Sequence, residues 1–131
     1  MKKIPIIVFT YKRALQLDSF ISSAIENFPN LKLPLNIIYH YDEKHHSSYL
    51  KLFDKYKDNL NILYRKEYKK NFKKSFLNHP LNIIWFYRFK WIREYFDNFK
   101  DLLENTLIKL DSDNIILSTD DQIFYKKTLI P

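Results

Sequence analysis

The sequence predicts an α/β fold, a three-layer sandwich built on a mostly parallel sheet, and three observations carry that expectation. Four short apolar runs, at residues 4–9, 35–39, 60–64 and 115–118, are separated by stretches with helical spacing, which gives the order β-α-β-α-β-α-β. The first run, Ile4 to Phe9, is apolar at successive positions instead of alternating with polar ones, as a strand buried on both faces is. The chain has 131 residues, 46% hydrophobic and 28% charged. That size and balance describe one folded domain, residues 1–131, able to close a core without staples.

Each element follows in order. Ile4-Pro5-Ile6-Ile7-Val8-Phe9 is the first strand. Thr10-Tyr11-Lys12-Arg13 leads into a helix whose Leu15, Leu17, Phe20, Ile21, Ala24, Ile25 and Phe28 fall mostly at helical intervals, until Pro29-Asn30 stops it. Leu35 to Tyr39 is the second strand, closed by His40-Tyr41-Asp42. A helix follows around Ser47 to Tyr56, with Tyr49, Leu50, Leu52, Phe53 and Tyr56 as its apolar side. Leu60 to Tyr64 is the third strand, and the basic stretch after it reads as a loop. Leu81 to Leu110 is helical and aromatic, long enough to divide into two helices near Asp97-Asn98, with Trp85 and Trp91 as core. Ile115 to Ser118 is the fourth strand, with Thr119-Asp120-Asp121-Gln122 at its carboxyl end, and Ile123-Phe124-Tyr125 is expected to extend or re-enter the sheet.

Composition excludes whole classes of chemistry. There is no glycine and no cysteine, where average usage of about 7% would supply roughly nine glycines. No dinucleotide-binding glycine turn, P-loop or kinase-type glycine loop is therefore present, nor a cysteine zinc site, thiol nucleophile or disulfide. Lysine outnumbers arginine 18 to 4 and alanine appears twice, a pattern typical of AT-rich coding, which also drains glycine. Any bound phosphate must be held by side chains, a metal or non-glycine backbone amides. No apolar run approaches the roughly 18 residues of a membrane span. Met1 to Phe9 reads as a first strand and not a secretory leader, and the expected setting is cytoplasmic.

The net charge of +7 is unevenly spread, because Arg65 to Lys74 alone holds six cations and one anion. Asp111, Asp113, Asp120 and Asp121 cluster late. Right-handed crossovers bring the carboxyl ends of parallel strands to one edge, where ligands bind in open α/β sheets. Thr10, Asp42 and the Asp120-Asp121 pair all fall at such ends.

The segments Ile6-Ile7-Val8-Phe9-Thr10-Tyr11-Lys12-Arg13 and Asn114-Ile115-Ile116-Leu117-Ser118-Thr119-Asp120-Asp121-Gln122-Ile123-Phe124 resemble parts of the GT-A nucleotide-diphospho-sugar glycosyltransferases. The first is similar to their opening strand and its Thr/Ser-Tyr-Asn-Arg/Lys-like turn, the second to the strand carrying their Asp-x-Asp-type metal motif. The resemblance implies a Rossmann-like nucleotide-binding half that holds a nucleotide-diphospho-sugar, a UDP-sugar, through Mn²⁺ or Mg²⁺. By position it implies Asp121 as the metal ligand and Asp120 at the ribose or ordering the site. Thr10 and Tyr11 lie against base and ribose, Asp42 hydrogen-bonds uracil or ribose, and Arg13, or a cation from Arg88, Arg93 or Lys100, meets the phosphates. Where the family's third motif position is acidic, this chain has Gln122. The physical logic agrees with the arithmetic: a divalent cation bridges carboxylate to diphosphate and stabilises the leaving group, and it needs no glycine.

Other readings attach to the same residues. Thr10 is equally a helix N-cap, and Asp42-Glu43 a solvated loop. Asp111-Ser112-Asp113 is a literal Asp-x-Asp but follows a helix, which favours a turn. His45-His46 reads as surface, since adjacent side chains diverge. Family members run well past the metal motif, and this chain ends ten residues after Asp121. It is thus expected to be a nucleotide-binding half lacking the acceptor portion, with the acceptor (glycan, lipid or protein) and catalytic base unassigned. The competing classes are a nucleic-acid or anionic-surface module using residues 65–74, the less favoured partner, and an inactive interaction domain of the same fold.

Overall fold

The computed structural model describes residues 2–65 and 98–127. Its elements are β1 (Ile4–Thr10), α1 (Ala14–Asn27), β2 (Leu31–His40), α2 (Glu43–Lys55), a 3-10 turn (Lys57–Asn59), β3 (Leu60–Arg65), α3 (Phe99–Leu110) and β4 (Ile116–Thr119). The four strands form one sheet in the order β3-β2-β1-β4, every neighbouring pair parallel. The α/β class and parallel sheet read from the apolar runs are therefore what the chain adopts. The basic stretch past Arg65, Trp85, Trp91, Arg88 and Arg93 lie outside the described residues.

β1 is central, and its side chains are buried on both faces. Ile4, Ile6 and Val8 join Leu17, Phe20, Ile21, Ala24 and Phe28 of the α1 side, and Tyr49, Leu52 and Phe53 of α2, in a single core. Ile7 and Ile38 are buried on the opposite face, where the Phe9 and Phe99 rings meet at 5.4 Å. α1 and α2 thus cover one face and α3 the other.

Two proline-bearing positions shape the sheet. Between Pro5 and Ile7 the register slips: β1 advances from Pro5 to Ile7 while β2 advances from Lys32 to Asn36. The two extra β2 residues bulge around Leu33-Pro34, consistent with a residue that has no amide to give a ladder. β2 accordingly starts at Leu31, earlier than the apolar run at Leu35 suggested.

α2 begins at Glu43, four residues ahead of its expected start, because Asp42 caps it by accepting the Lys44 amide at 3.0 Å. α3 starts at Phe99 after Asn98, in keeping with a new helix near Asp97-Asn98. Ile123-Phe124-Tyr125 forms no strand. Phe124 instead stacks on Phe28 at 5.4 Å and meets Phe20 edge-on at 5.7 Å, while its amide and carbonyl bond Ser23 and Asn27. That anchor ties the segment after β4 to α1.

A chain without glycine must put other residues in left-handed backbone. Lys12 (φ 60°) does so in the β1–α1 turn, and Asp111 (φ 38°) at the end of α3, a position glycine usually holds. Asp111→Gly is expected to stabilise the fold by about 0.5–1 kcal/mol, read as a higher denaturation midpoint at unchanged slope.

Candidate functional site

The strand order decides where a site forms. From β1 the chain proceeds outward to β2 and β3, then returns to place β4 on the other side of β1. The helix that leaves β1 and the helix that enters β4 lie on opposite faces, so the strand order reverses between these two strands, and their carboxyl ends form the switch point where open α/β sheets bind ligands. Thr10 ends β1, Thr119 ends β4, and Asp120-Asp121 follow directly.

Strand alternation explains why two neighbouring aspartates behave differently. Val8 pairs in register with Ser118, and both are buried. Two residues on, Thr10 and Asp120 keep to the same inward side, and each is 4% exposed. Thr10 Oγ1 donates to Asp120 Oδ2 at 2.8 Å. Asp121 points outward, with its side chain 58% exposed, and its Oδ1 accepts a hydrogen bond from the Thr119 hydroxyl. That hydroxyl, chiefly, holds the Asp121 carboxyl below the usual carboxylate range, and the Arg13 charge adds to the effect.

Arg13 serves both aspartates. Its Nη1 lies 3.6 Å from Asp120 Oδ1 and 3.7 Å from Asp121 Oδ2. Arg13 is also the N-cap of α1, with no side-chain cap and no acidic residue in the first turn. The first amides of that helix thus face the same edge without a carboxylate of their own, an arrangement suited to anions. Thr10 is not the cap; its hydroxyl is committed to Asp120 and Tyr49.

Tyr49 is the residue the sequence pattern did not single out as part of a site. It lies on the apolar side of α2 and is fully buried, yet its hydroxyl sits 2.6 Å from Thr10 Oγ1 and accepts the Arg13 amide at 2.8 Å. A carboxylate only accepts, so the Thr10 proton goes to Asp120 and Tyr49 must donate to Thr10. The result is a directed chain from the Arg13 amide through Tyr49 and Thr10 to Asp120. No local signal distinguishes this tyrosine from a core aromatic, because its partners lie 36 and 39 residues away.

Asp42 caps α2 and also meets Lys12 Nζ at 3.4 Å and His45 Nδ1 at 3.1 Å. Burial opposes its charge, but hydrogen bonds from His45, the Lys44 amide and Lys12 prevail and lower its pKa. A lowered carboxyl stabilises the fold above its unfolded value and loses that contribution as pH falls through the folded value. Asp42→Ala is therefore expected to lower the melting temperature at pH 7, with the gap closing below the ordinary aspartate value of 3.8; melts across that range check it.

Tyr11, half-exposed, stacks on His40 at 4.3 Å, and Lys12 Nζ lies 4.6 Å from its ring centre. Beside it, an open cavity of about 520 Å³ is lined by Lys12, Arg13, His45, Ser48 and Lys51, among others, within the range of small-ligand sites. Lys100 lies in the first turn of α3, and its ammonium pairs with Glu104 at 3.7 Å; no contact joins it to the aspartates. Gln122 turns back to accept the Ser118 hydroxyl at 2.7 Å.

The rival acidic motif is taken up by a turn. Asp111 ends α3, Ser112 bonds the Asn114 carbonyl at 3.0 Å, and Asp113 pairs with Lys2 ahead of β1, at the opposite edge of the sheet. His45 and His46 diverge, one to Asp42 and the other to the Tyr39 hydroxyl at 3.2 Å. Among the described residues, no three His, Asp or Glu side chains gather as a ready-made metal cage. No helix among them is long and apolar enough to cross a membrane.

Comparison of the chain with protein-family models, with characterised proteins and with solved structures gave no match.

Proposed function

We propose that the chain is the donor-binding domain of a glycosyltransferase. It holds a nucleotide-diphospho-sugar, a UDP-sugar, at the β1–β4 switch point through Mn²⁺ or Mg²⁺, and passes the glycosyl group to a glycan, lipid or protein acceptor. The observation that carries this reading is the Thr10–Asp120 hydrogen bond at the carboxyl edge. It joins the two segments that resemble the GT-A family, 110 residues apart in sequence, at the place where such sheets bind nucleotides.

The donor set suits a metal–diphosphate. Mg²⁺ and its analogues take one or two carboxylates from protein and the remaining oxygens from phosphate and water, so no preformed cage is required. Asp121 offers an outward carboxylate that stays ionised at neutral pH, and Asp120 stands behind it, fixed by Thr10. When bound, the ion supplies Lewis-acid stabilisation of the departing diphosphate. Arg13 and the uncapped start of α1 face the phosphates, Tyr11 offers a ring to the base, and Asp42 lies beside it as acceptor for base or ribose. Lys100 is the weaker phosphate candidate, being paired on its own helix. In the reaction the bond from the anomeric carbon to the diphosphate oxygen breaks. The acceptor oxygen bonds that carbon as it gives up its proton.

Calorimetric titration of UDP into the chain tests the reading. Saturable binding is expected with Mn²⁺ present, weakened at least tenfold when EDTA replaces the ion. Metal-independent binding, or none, would overturn it.

A further inference from the structure

The two aspartates share a symmetry that their unequal burial hides. Each has one oxygen held by a threonine hydroxyl: Asp120 Oδ2 by Thr10, and Asp121 Oδ1 by Thr119. Each presents the other oxygen to the same Arg13 nitrogen, at 3.6 Å and 3.7 Å. Tyr49, by fixing the direction of the Thr10 hydroxyl, keeps Asp120 in that pose.

The guanidinium thus occupies a position from which a cation faces both free oxygens. It is not anchored there. Its distances exceed hydrogen-bond range, its side chain is 52% exposed, and among the described residues it donates no side-chain hydrogen bond. A charge held by attraction alone is readily exchanged for a stronger one.

We infer that Arg13 is a resident counter-cation: it occupies the metal's place between Asp120 and Asp121 in the ligand-free protein, and it moves onto the diphosphate when ion and nucleotide load together. This rests on the donor-site reading above and adds a specificity to it. A bare divalent ion must displace Arg13 with no compensation, because two cations beside one carboxylate pair repel. An ion arriving with a diphosphate brings the anion that Arg13 then binds. The residue therefore selects the metal–nucleotide complex over free metal.

The test is Mn²⁺ binding to the full chain, read from the electron paramagnetic resonance signal of free Mn²⁺, with and without UDP. In the unmodified chain, Mn²⁺ alone is expected to bind weakly and UDP to tighten it. Arg13→Ala is expected to bind Mn²⁺ alone about tenfold more tightly while losing most of the tightening by UDP. Arg13→Lys, which keeps the charge, should bind Mn²⁺ alone much as the unmodified chain does. Because the Arg13 amide and not its side chain meets Tyr49, both variants should keep the far-ultraviolet dichroism of the parent.

If Arg13→Ala binds free Mn²⁺ no more tightly while UDP still promotes binding to the parent, Arg13 is no competitor and only this inference falls. If neither the parent nor either variant binds Mn²⁺ under any condition, the donor-site reading falls with it.

Discussion

Asp121→Ala is expected to reduce Mn²⁺-dependent UDP binding at least a hundredfold while moving the melting temperature by no more than about two degrees. The two halves of that expectation come from the same geometry. The carboxylate projects from the end of β4 into solvent, so its removal opens no cavity and leaves no buried group unpaired; exposed changes of this kind are usually within about 0.5 kcal/mol. Its partners are the Thr119 hydroxyl and the Arg13 guanidinium, both able to turn to water. In the proposed donor site, what is lost is an outward anionic ligand for the ion, and with it the neutralisation that would let a diphosphate approach two aspartates. Asp121→Asn separates charge from shape, and it should retain little more binding than the alanine variant. Calorimetry with UDP and Mn²⁺ gives the binding loss, and thermal melts give the control.

Tyr49→Phe is expected to act on the fold as well as the site, costing about 1–3 kcal/mol of stability in addition to binding. The ring stays, packed against Tyr39 at 4.4 Å and Phe53 at 5.8 Å, so the loss is confined to one hydroxyl. Removing it leaves the Arg13 amide without its acceptor and the buried Thr10 oxygen without its donor. The directed chain that ends on Asp120 is then broken at its middle, and Thr10 is free to turn away from the carboxylate. Chemical denaturation should show the cost at unchanged slope, and UDP–Mn²⁺ affinity should fall several-fold even where the variant is fully folded. A variant with parental stability and affinity would mean that the hydroxyl contacts carry no weight.

How much of this was legible beforehand follows from the range of the interactions concerned. The first strand was readable because burial on both faces demands a near-continuous apolar run, which Ile4 to Phe9 supplies; β3 is only partly buried and carries the polar Asn61 inside Leu60 to Tyr64. The carboxyl-edge placement of Thr10, Asp42 and the aspartate pair followed from parallel strands alone. The early start of α2 was obscured because Asp42-Glu43-Lys44-His45-His46 is wholly polar. Its cap forms by one side chain folding onto the next turn, which apolar periodicity does not register. Leu31 to Pro34 was passed over for a related reason: a proline argues against a strand, and only the neighbouring bulge accommodates it. Phe124 leaves the sheet because Phe20 and Phe28 offer it a stacking site that exists only once α1 is packed. Tyr49 is the extreme case, since a hydroxyl whose partners lie on β1 and at the start of α1 leaves no trace in helical spacing.

The absence of glycine is answered in the structure by Lys12 and Asp111, which take left-handed backbone at two turns. The β1–α1 turn therefore carries side chains where a dinucleotide-binding loop would carry bare backbone. Lys12 and Arg13 are placed at the switch point as a consequence, beside the carboxylates they neutralise.

In the proposed donor site, the nucleotide and its ion sit at the carboxyl ends of β1 and β4. Paramagnetic broadening of backbone amide resonances by Mn²⁺ in the presence of UDP tests it most directly, since broadening falls steeply with distance from the ion. The expected result is loss of the signals from Thr10 to Arg13 and from Thr119 to Gln122, with those from Asp111 to Asn114 at the opposite edge unaffected. Broadening centred on Asp111 to Asp113, or spread evenly over the acidic surface with no dependence on UDP, would contradict it.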